Sequence, residues 1–226
     1  MILDVIGPVI IGPSSSHTAG MARLGRAFRY LFNDLSEGDV PLKVEIYLNS
    51  PLFSTYRGHG TDRALIGGVL GIYEWQEELK SSIEIARSKD MSVTFYESSF
   101  EGKHPNTIMI SGVSKSESHY LIGASTGGAA VEITEIDGAR VSISGKYPTL
   151  IIKNLDTPGA LSKIVTTISM KGINISNLVL VRTNRIRGEA VCIIEMDSEP
   201  SKDLVGFLRG LQDVLHVAYL PVLAIP

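Results

Sequence analysis

A helix that is apolar on every side is satisfied only inside a core, and the segment beginning at Thr61 has that character, with Ala64, Leu65, Ile66 and Val69 around Gly67, Gly68 and Gly71. Glycine weakens a helix by about 1 kcal/mol relative to alanine, so glycines here imply close backbone packing in a buried position. The start of the helix then points out of the core. At that start stands Tyr56-Arg57-Gly58-His59-Gly60-Thr61-Asp62, a cluster of glycine, imidazole and hydroxyl groups. Taken alone it has an ordinary reading, with Thr61 or Asp62 as N-cap and His59 as a satisfied loop histidine.

An earlier stretch repeats the arrangement. Gly12-Pro13-Ser14-Ser15-Ser16-His17-Thr18-Ala19-Gly20 leads into a helix where Met21, Leu24, Gly25, Phe28, Leu31 and Phe32 recur at helical spacing, with Arg23, Arg26 and Arg29 on the other face. The first N–H groups of a helix lack intrahelical partners and its dipole favours negative charge, so a carboxylate could dock among Ser14, Ser15, Ser16 and Thr18 with His17 beside it. A plain cap needs one hydroxyl. Two helix starts, each with glycine backbone, unpaired N–H groups and an imidazole, hold the parts needed to bind a small acid and move its proton.

The 226 residues suffice for one large or two small domains, and two fit the pattern better. A net charge of -3 gives no basic excess for nucleic acid, and no lysine or arginine run suits an anionic membrane surface. Met1-Ile2-Leu3-Asp4-Val5-Ile6 lacks the basic start and long apolar run of a secretory signal, and no stretch has the length of a membrane span, which points to the cytoplasm. The single cysteine, Cys192, excludes an intrachain disulfide and, within an apolar strand-like run, reads as buried filler.

Along the chain, Asn33 to Pro41 reads as a polar loop, and Leu42, Val44, Ile46 and Leu48 alternate in strand period. Glu74 to Lys89 reads as one amphipathic helix through Trp75, Leu79, Ile83 and Ala86. Short strands follow near Val93–Tyr96 and Thr107–Gly112, then a hairpin with arms Tyr120–Ala124 and Ala130–Ile136 joined through Ser125-Thr126-Gly127-Gly128, and a turn at Asp137-Gly138. His104 and His119 show no metal-ligand spacing, and no metal site is expected. From Tyr147 the texture changes to strand, helix, strand, strand, helix, strand: a strand at Leu150–Lys153, a helix bearing Leu161, Ile164 and Ile168 that Asp156 and Thr157 can cap, strands at Ile175–Arg182 and Glu189–Met196, a helix with Leu204, Phe207 and Leu208, and a strand at Val214–Leu220. That is a ferredoxin-like βαββαβ unit.

Asp156-x-Pro158-Gly159-x-Leu161 and Gly172-Ile173-Asn174-Ile175 make this tail resemble an ACT domain. That resemblance implies side-by-side pairing into a homodimer and an effector site at Asn154, Gly159, Asn174 and Ile175, although a module that only dimerises is an equal alternative. With Gly12-Pro13-Ser14-Ser15-Ser16-His17-Thr18 and Gly58-His59-Gly60-Thr61-Asp62 in front of it, the whole chain resembles the beta chain of iron-sulfur-dependent L-serine dehydratase (L-serine ammonia-lyase). The resemblance implies an α+β fold. Residues 1–146 would form a substrate-binding domain similar to the allosteric substrate-binding domain of phosphoglycerate dehydrogenase, and 147–226 an ACT regulatory domain. It further implies a partner alpha chain carrying a 4Fe-4S cluster, which accords with one cysteine here, since such clusters are held by several thiolates. L-serine would bind through its carboxylate to Ser14, Ser15, Ser16 and Thr18, with Gly58, Gly60, Thr61 and Asp62 at the second helix start. Its hydroxyl would meet a cluster iron acting as Lewis acid. His17 is expected to be the base, with His59 second, and the aminoacrylate would hydrolyse to pyruvate and ammonia. The competing expectation is a non-enzymatic amino-acid-sensing module that holds serine or a hydroxy acid only as an effector.

Overall fold

The computed structural model describes residues 10–32 and 40–223. Met1–Ile6 and most of the loop expected over Asn33–Pro41 lie outside the described residues. The fold is α+β with two sheets. The first contains β1 (Lys43–Asn49), β2 (Ser92–Ser98), β3 (Thr107–Val113), β4 (Ser118–Gly127), β5 (Ala130–Ile136) and β6 (Ala139–Ile143) in the order β2-β1-β3-β4-β5-β6. Only β1 and β2 are parallel among these neighbours. A parallel pair needs a crossover, and α2 (Ser50–Phe53), α3 (Thr61–Val69) and α4 (Ser82–Ser88) provide it, while α1 (Gly20–Tyr30) precedes β1. Val44, Ile46 and Leu48 alternate into the core as their period predicts.

The arginines of α1 are not at solvent. Every residue of α1 is buried, because the helix lies between α3 on one side and β4 and β5 on the other. Burying guanidinium groups requires counter-charge, and Glu74, itself fully buried, takes Arg23 Nε at 2.7 Å and Arg26 Nη1 at 2.5 Å. Arg23 also donates to the Ala129 carbonyl at 2.9 Å, and Arg26 lies 4.4 Å over the Tyr73 ring. Burial alone would push the Glu74 carboxyl up; the attraction of Arg26 and the hydrogen bonds from both arginines outweigh it and hold the carboxyl below its usual range. This use of Glu74 also breaks the helix expected over Glu74–Lys89 into a turn, a 3₁₀ segment at Glu77–Ser81, and α4.

Of the two glycines within α3, Gly68 packs against backbone and Gly67 against the Leu79 side chain. A Cβ on Gly68 would lie 2.1 Å from the Ala22 carbonyl oxygen, and one on Gly25 2.3 Å from that of Leu65, so α1 and α3 cross backbone against backbone where no side chain would fit. Gly71 lies past the end of α3, with φ 83°, and stops it. The hairpin turn is narrower than expected: Ser125 and Thr126 belong to β4, and Gly128 and Ala129 form the two-residue loop, both with positive φ. Strand β6 and helix α2 carry no strong sequence period that would predict them.

The second sheet holds β7 (Thr149–Leu155), β8 (Ile175–Asn184), β9 (Glu189–Met196) and β10 (Val214–Leu220) in the order β10-β7-β9-β8, all antiparallel, with α5 (Ala160–Ser169) and α6 (Lys202–Arg209). This is the ferredoxin-like arrangement expected of an ACT domain. Leu150, Ile152, Cys192, Ile194 and Val217 pack with Ile164, Ile168, Leu204 and Leu208 of the helices. The opposite face, through Ile151, Val191, Ile193, Ala218 and Leu220, joins the core of the first sheet. Asp156 and Thr157 do not cap α5: Gly159 is the N-cap, Asp156 pairs with Arg182, and Thr157 bonds Asp213. Among the described residues no helix is long and apolar enough to cross a membrane.

Candidate active site

The close crossing of α1 and α3 brings the two histidine-bearing helix starts together. Ser15–Ala19 forms a wide π-type turn leading into α1, and Ser14 caps it in extended conformation, its Oγ accepting from the His17 N–H at 3.1 Å. Gly12, with φ 147°, lies where a Cβ would meet Thr18 Cγ2 at 2.6 Å, so the loop folds tightly over that threonine. At the other start Gly60, left-handed with φ 68°, is the N-cap of α3. Thr61 is thereby released from capping, and its Oγ1 donates to the His17 carbonyl at 3.1 Å. Thr18 Oγ1 donates in return to the His59 carbonyl at 3.4 Å. These reciprocal bonds, made by two buried hydroxyls, hold the imidazoles with ring centroids 5.0 Å apart.

His17 is half-buried and His59 exposed. Ser14 Oγ lies 3.1 Å from His17 Nδ1. In the tautomer with hydrogen on Nδ1, that oxygen accepts from both the ring and the backbone, and Nε2 is left basic. Burial first, and then the proximity of His59, lower the His17 pKa, which keeps the imidazole neutral and able to accept a proton. The arrangement can bind an anion at adjoining helix starts and remove a proton beside it.

Ser15 and Ser16 lie half-buried within the turn, and Gly58 is exposed next to His59. Asp62 belongs elsewhere: its Oδ1 accepts from the Arg63 N–H at 2.8 Å, serving the first turn of α3. Cys192 is buried, and burial pushes its thiol up to about 12, so it does not suit the thiolate ligation of an iron–sulfur cluster.

The four residues assigned to an effector are not assembled within one chain. Asn154 pairs with Ala190 at one end of β9, whereas Ile175 pairs with Met196 at the other, and at about 3.3 Å per residue the two ends are roughly 20 Å apart. Asn154 is buried, donates to the Leu155 carbonyl at 2.7 Å, and leaves Oδ1 without a hydrogen bond. Gly159 is left-handed with φ 89°, and Asn174 donates to Asp197 at 2.6 Å.

Sequence reasoning missed the supports beneath the site. Ser125 lies under the start of α1, where a Cβ on Gly20 would fall 2.1 Å from Ser125 Oγ. The Glu74 carbonyl accepts from the Ile11 N–H at 2.7 Å, so the residue that neutralises Arg23 and Arg26 also anchors the loop before His17.

Comparison with known proteins places the chain among relatives. A family described as serine dehydratase beta chain matches residues 2–80, which include both histidine clusters. A probable L-serine dehydratase beta chain of Bacillus subtilis is 34% identical over 216 residues, covering 96% of each chain. The L-serine dehydratase beta chain of Peptoniphilus asaccharolyticus is 29% identical over 222 residues, covering 97% of each. D-3-phosphoglycerate dehydrogenase of Methanocaldococcus jannaschii is 27% identical over 136 residues, 60% of this chain but 25% of the dehydrogenase. With a relative above 30% identity matched along nearly its whole length, and the family match spanning both helix starts of the site, the chain belongs to the serine dehydratase beta chain family.

Proposed function

We propose that the chain is the beta subunit of an iron–sulfur L-serine dehydratase, which converts L-serine to pyruvate and ammonia with an alpha chain that carries the 4Fe-4S cluster. The observation that carries this reading is the pair of imidazoles, His17 and His59, 5.0 Å apart at two adjoining helix starts. The hydroxyls of Ser14, Ser15 and Ser16 at the helix start receive the serine carboxylate, while Thr18, committed to the His59 carbonyl, holds the two starts together. His17 takes the α-proton, the β-hydroxyl departs as hydroxide that takes up the proton His17 then holds to become water, and the aminoacrylate, tautomerised to the imine, adds water and releases pyruvate and ammonia. The single cysteine, buried and with its thiol pushed up to about 12, is unsuited to holding the cluster, which supports a cluster carried by the partner.

Residues 1–146 serve as the substrate-binding domain and 147–226 as a regulatory ACT domain that pairs with a second copy. Among the described residues β8 and β10 end the second sheet with their outer edges unpaired, which supports the pairing. A small effector spanning Asn154 and Gly159 on one side and Asn174 and Ile175 on the other is then shared between two copies.

The test is steady-state kinetics of the complex reconstituted anaerobically with its alpha chain. His17→Asn is expected to lower kcat by roughly 10²- to 10⁴-fold with little change in the melting curve. Near-normal turnover in a folded His17→Asn complex removes His17 from the role of base. The match to phosphoglycerate dehydrogenase favours a second reading, an amino-acid sensor without chemistry. A sensor binds L-serine, yet shows no turnover in any complex.

A further inference from the structure

The strand register of the second sheet turns one histidine toward the first. Along β10, Val214 faces Asn154 of β7 while His216 faces the adjacent Lys153, so two residues oppose one and the strand bulges at Leu215. Without the bulge, Val214, His216 and Ala218 would share a face. With it, Val214 packs on the helix side, whereas Ala218 and Leu220 join the core of the first sheet. His216 turns with them, and its Nε2 comes within 2.9 Å of the Leu31 carbonyl at the end of α1. There it meets His119 of β4, ring centroids 4.9 Å apart.

Each imidazole has one nitrogen engaged by an oxygen acceptor. His119 Nδ1 lies 2.6 Å from Asp137 Oδ2, and Asp137 is itself oriented by accepting from the Tyr120 N–H at 2.8 Å. His216 Nε2 has the Leu31 carbonyl. Carboxylates and carbonyls in this position fix the tautomer and ring direction of metal-binding histidines. The two remaining nitrogens, His119 Nε2 and His216 Nδ1, lie 3.4 Å and 3.2 Å from one oxygen, Glu117 Oε2. The His119 side chain is 9% exposed, and its Nε2 makes no hydrogen bond.

We propose that Glu117, His119 and His216 bind a divalent transition-metal ion of the zinc class, joining the first sheet to the second. The three ligand atoms lie within 4.8 Å of one another, the one such group among the described residues. Tetrahedral bonds of about 2.0–2.1 Å place ligand atoms about 3.3 Å apart, which the two contacts to Glu117 match. Two imidazoles and one carboxylate select zinc or a neighbouring transition metal over calcium or magnesium, which prefer oxygen. The fourth position falls to water. This site is separate from the His17–His59 pair and does not depend on the proposed dehydratase activity.

The experiment uses the full chain, stripped with a chelator and titrated with Zn²⁺ by calorimetry, with Co²⁺ absorption as a second readout. One zinc per chain, a raised Tm with zinc, and a tetrahedral Co²⁺ spectrum are expected. His119→Gln and His216→Gln are each expected to weaken binding at least tenfold and to abolish the zinc-dependent rise in Tm. Asp137→Asn, which leaves all three ligands in place, is expected to weaken it about 10- to 100-fold while circular dichroism stays that of the folded chain. His104→Gln, at an exposed histidine outside the cluster, is expected to bind as the parent does. Absence of stoichiometric zinc in the parent overturns the proposal, as does binding that survives His119→Gln with His216→Gln or is lost instead with His17→Asn.

Discussion

Replacing Glu74 with glutamine isolates the charge that lets α1 be buried. Glutamine keeps the volume and one acceptor oxygen, so no cavity opens, but Arg23 and Arg26, 5% and 1% exposed, lose their counter-ion. Breaking a buried ion pair by removing one partner costs about 3–5 kcal/mol. The lower end applies here, because Arg23 keeps the Ala129 carbonyl and Arg26 keeps the Tyr73 ring. A loss of about 3 kcal/mol in a protein of this size lowers Tm by roughly 6–12 °C. The assay is urea unfolding of both proteins across pH. Since the folded Glu74 carboxyl sits below its ordinary value of 4.5, its stabilisation is complete above that pH and is lost as pH falls through the depressed folded value. Glu74→Gln carries no such group, so the stability gap between the two proteins should narrow in acid below 4.5. A difference under about 1 kcal/mol at neutral pH, or a gap that stays constant into acid, would refute the reasoning.

Gly68→Ala places a methyl group 2.1 Å from the Ala22 carbonyl oxygen and must part α1 from α3. It is expected to cost about 1–3 kcal/mol and to depress turnover in the complex. Gly67→Ala, whose nearest contact is the movable Leu79 side chain, should be milder, and the reverse ranking in urea melts would count against the crossing. His59→Asn removes a like charge from beside His17. The His17 pKa should rise, moving the acid limb of the kcat/KM profile to higher pH, and a limb that moves down contradicts the electrostatic reading. Leu180→Lys adds a charge at a 37% exposed position on edge strand β8. Light scattering should then show a smaller species than the parent, and an unchanged mass argues against pairing through that edge.

Local pattern was enough to find both helix starts of the site, because the hydroxyls, glycines and histidines that make them lie within a few residues of each other. It was also enough for the βαββαβ order of the tail, since Ile152, Ile164, Ile194 and Leu204 follow strand and helix periods that one buried face imposes. Periodicity failed where burial came from two sides. The arginines of α1 look like a solvent face until α3 and β4 close over them, and Glu74 becomes meaningful only once Arg23 and Arg26 are beside it. The 5.0 Å separation of His17 and His59 likewise depends on the contact of Gly25 with Gly68, which joins segments far apart in the chain. His119 and His216 carry no spacing that links them, and a bulge at Leu215 decides which way His216 points. Sequence alone determined which groups stand at each helix start, because capping and periodicity act over a single turn. Tertiary structure decided which of those groups meet, because packing of backbone on backbone acts between residues that the chain keeps far apart.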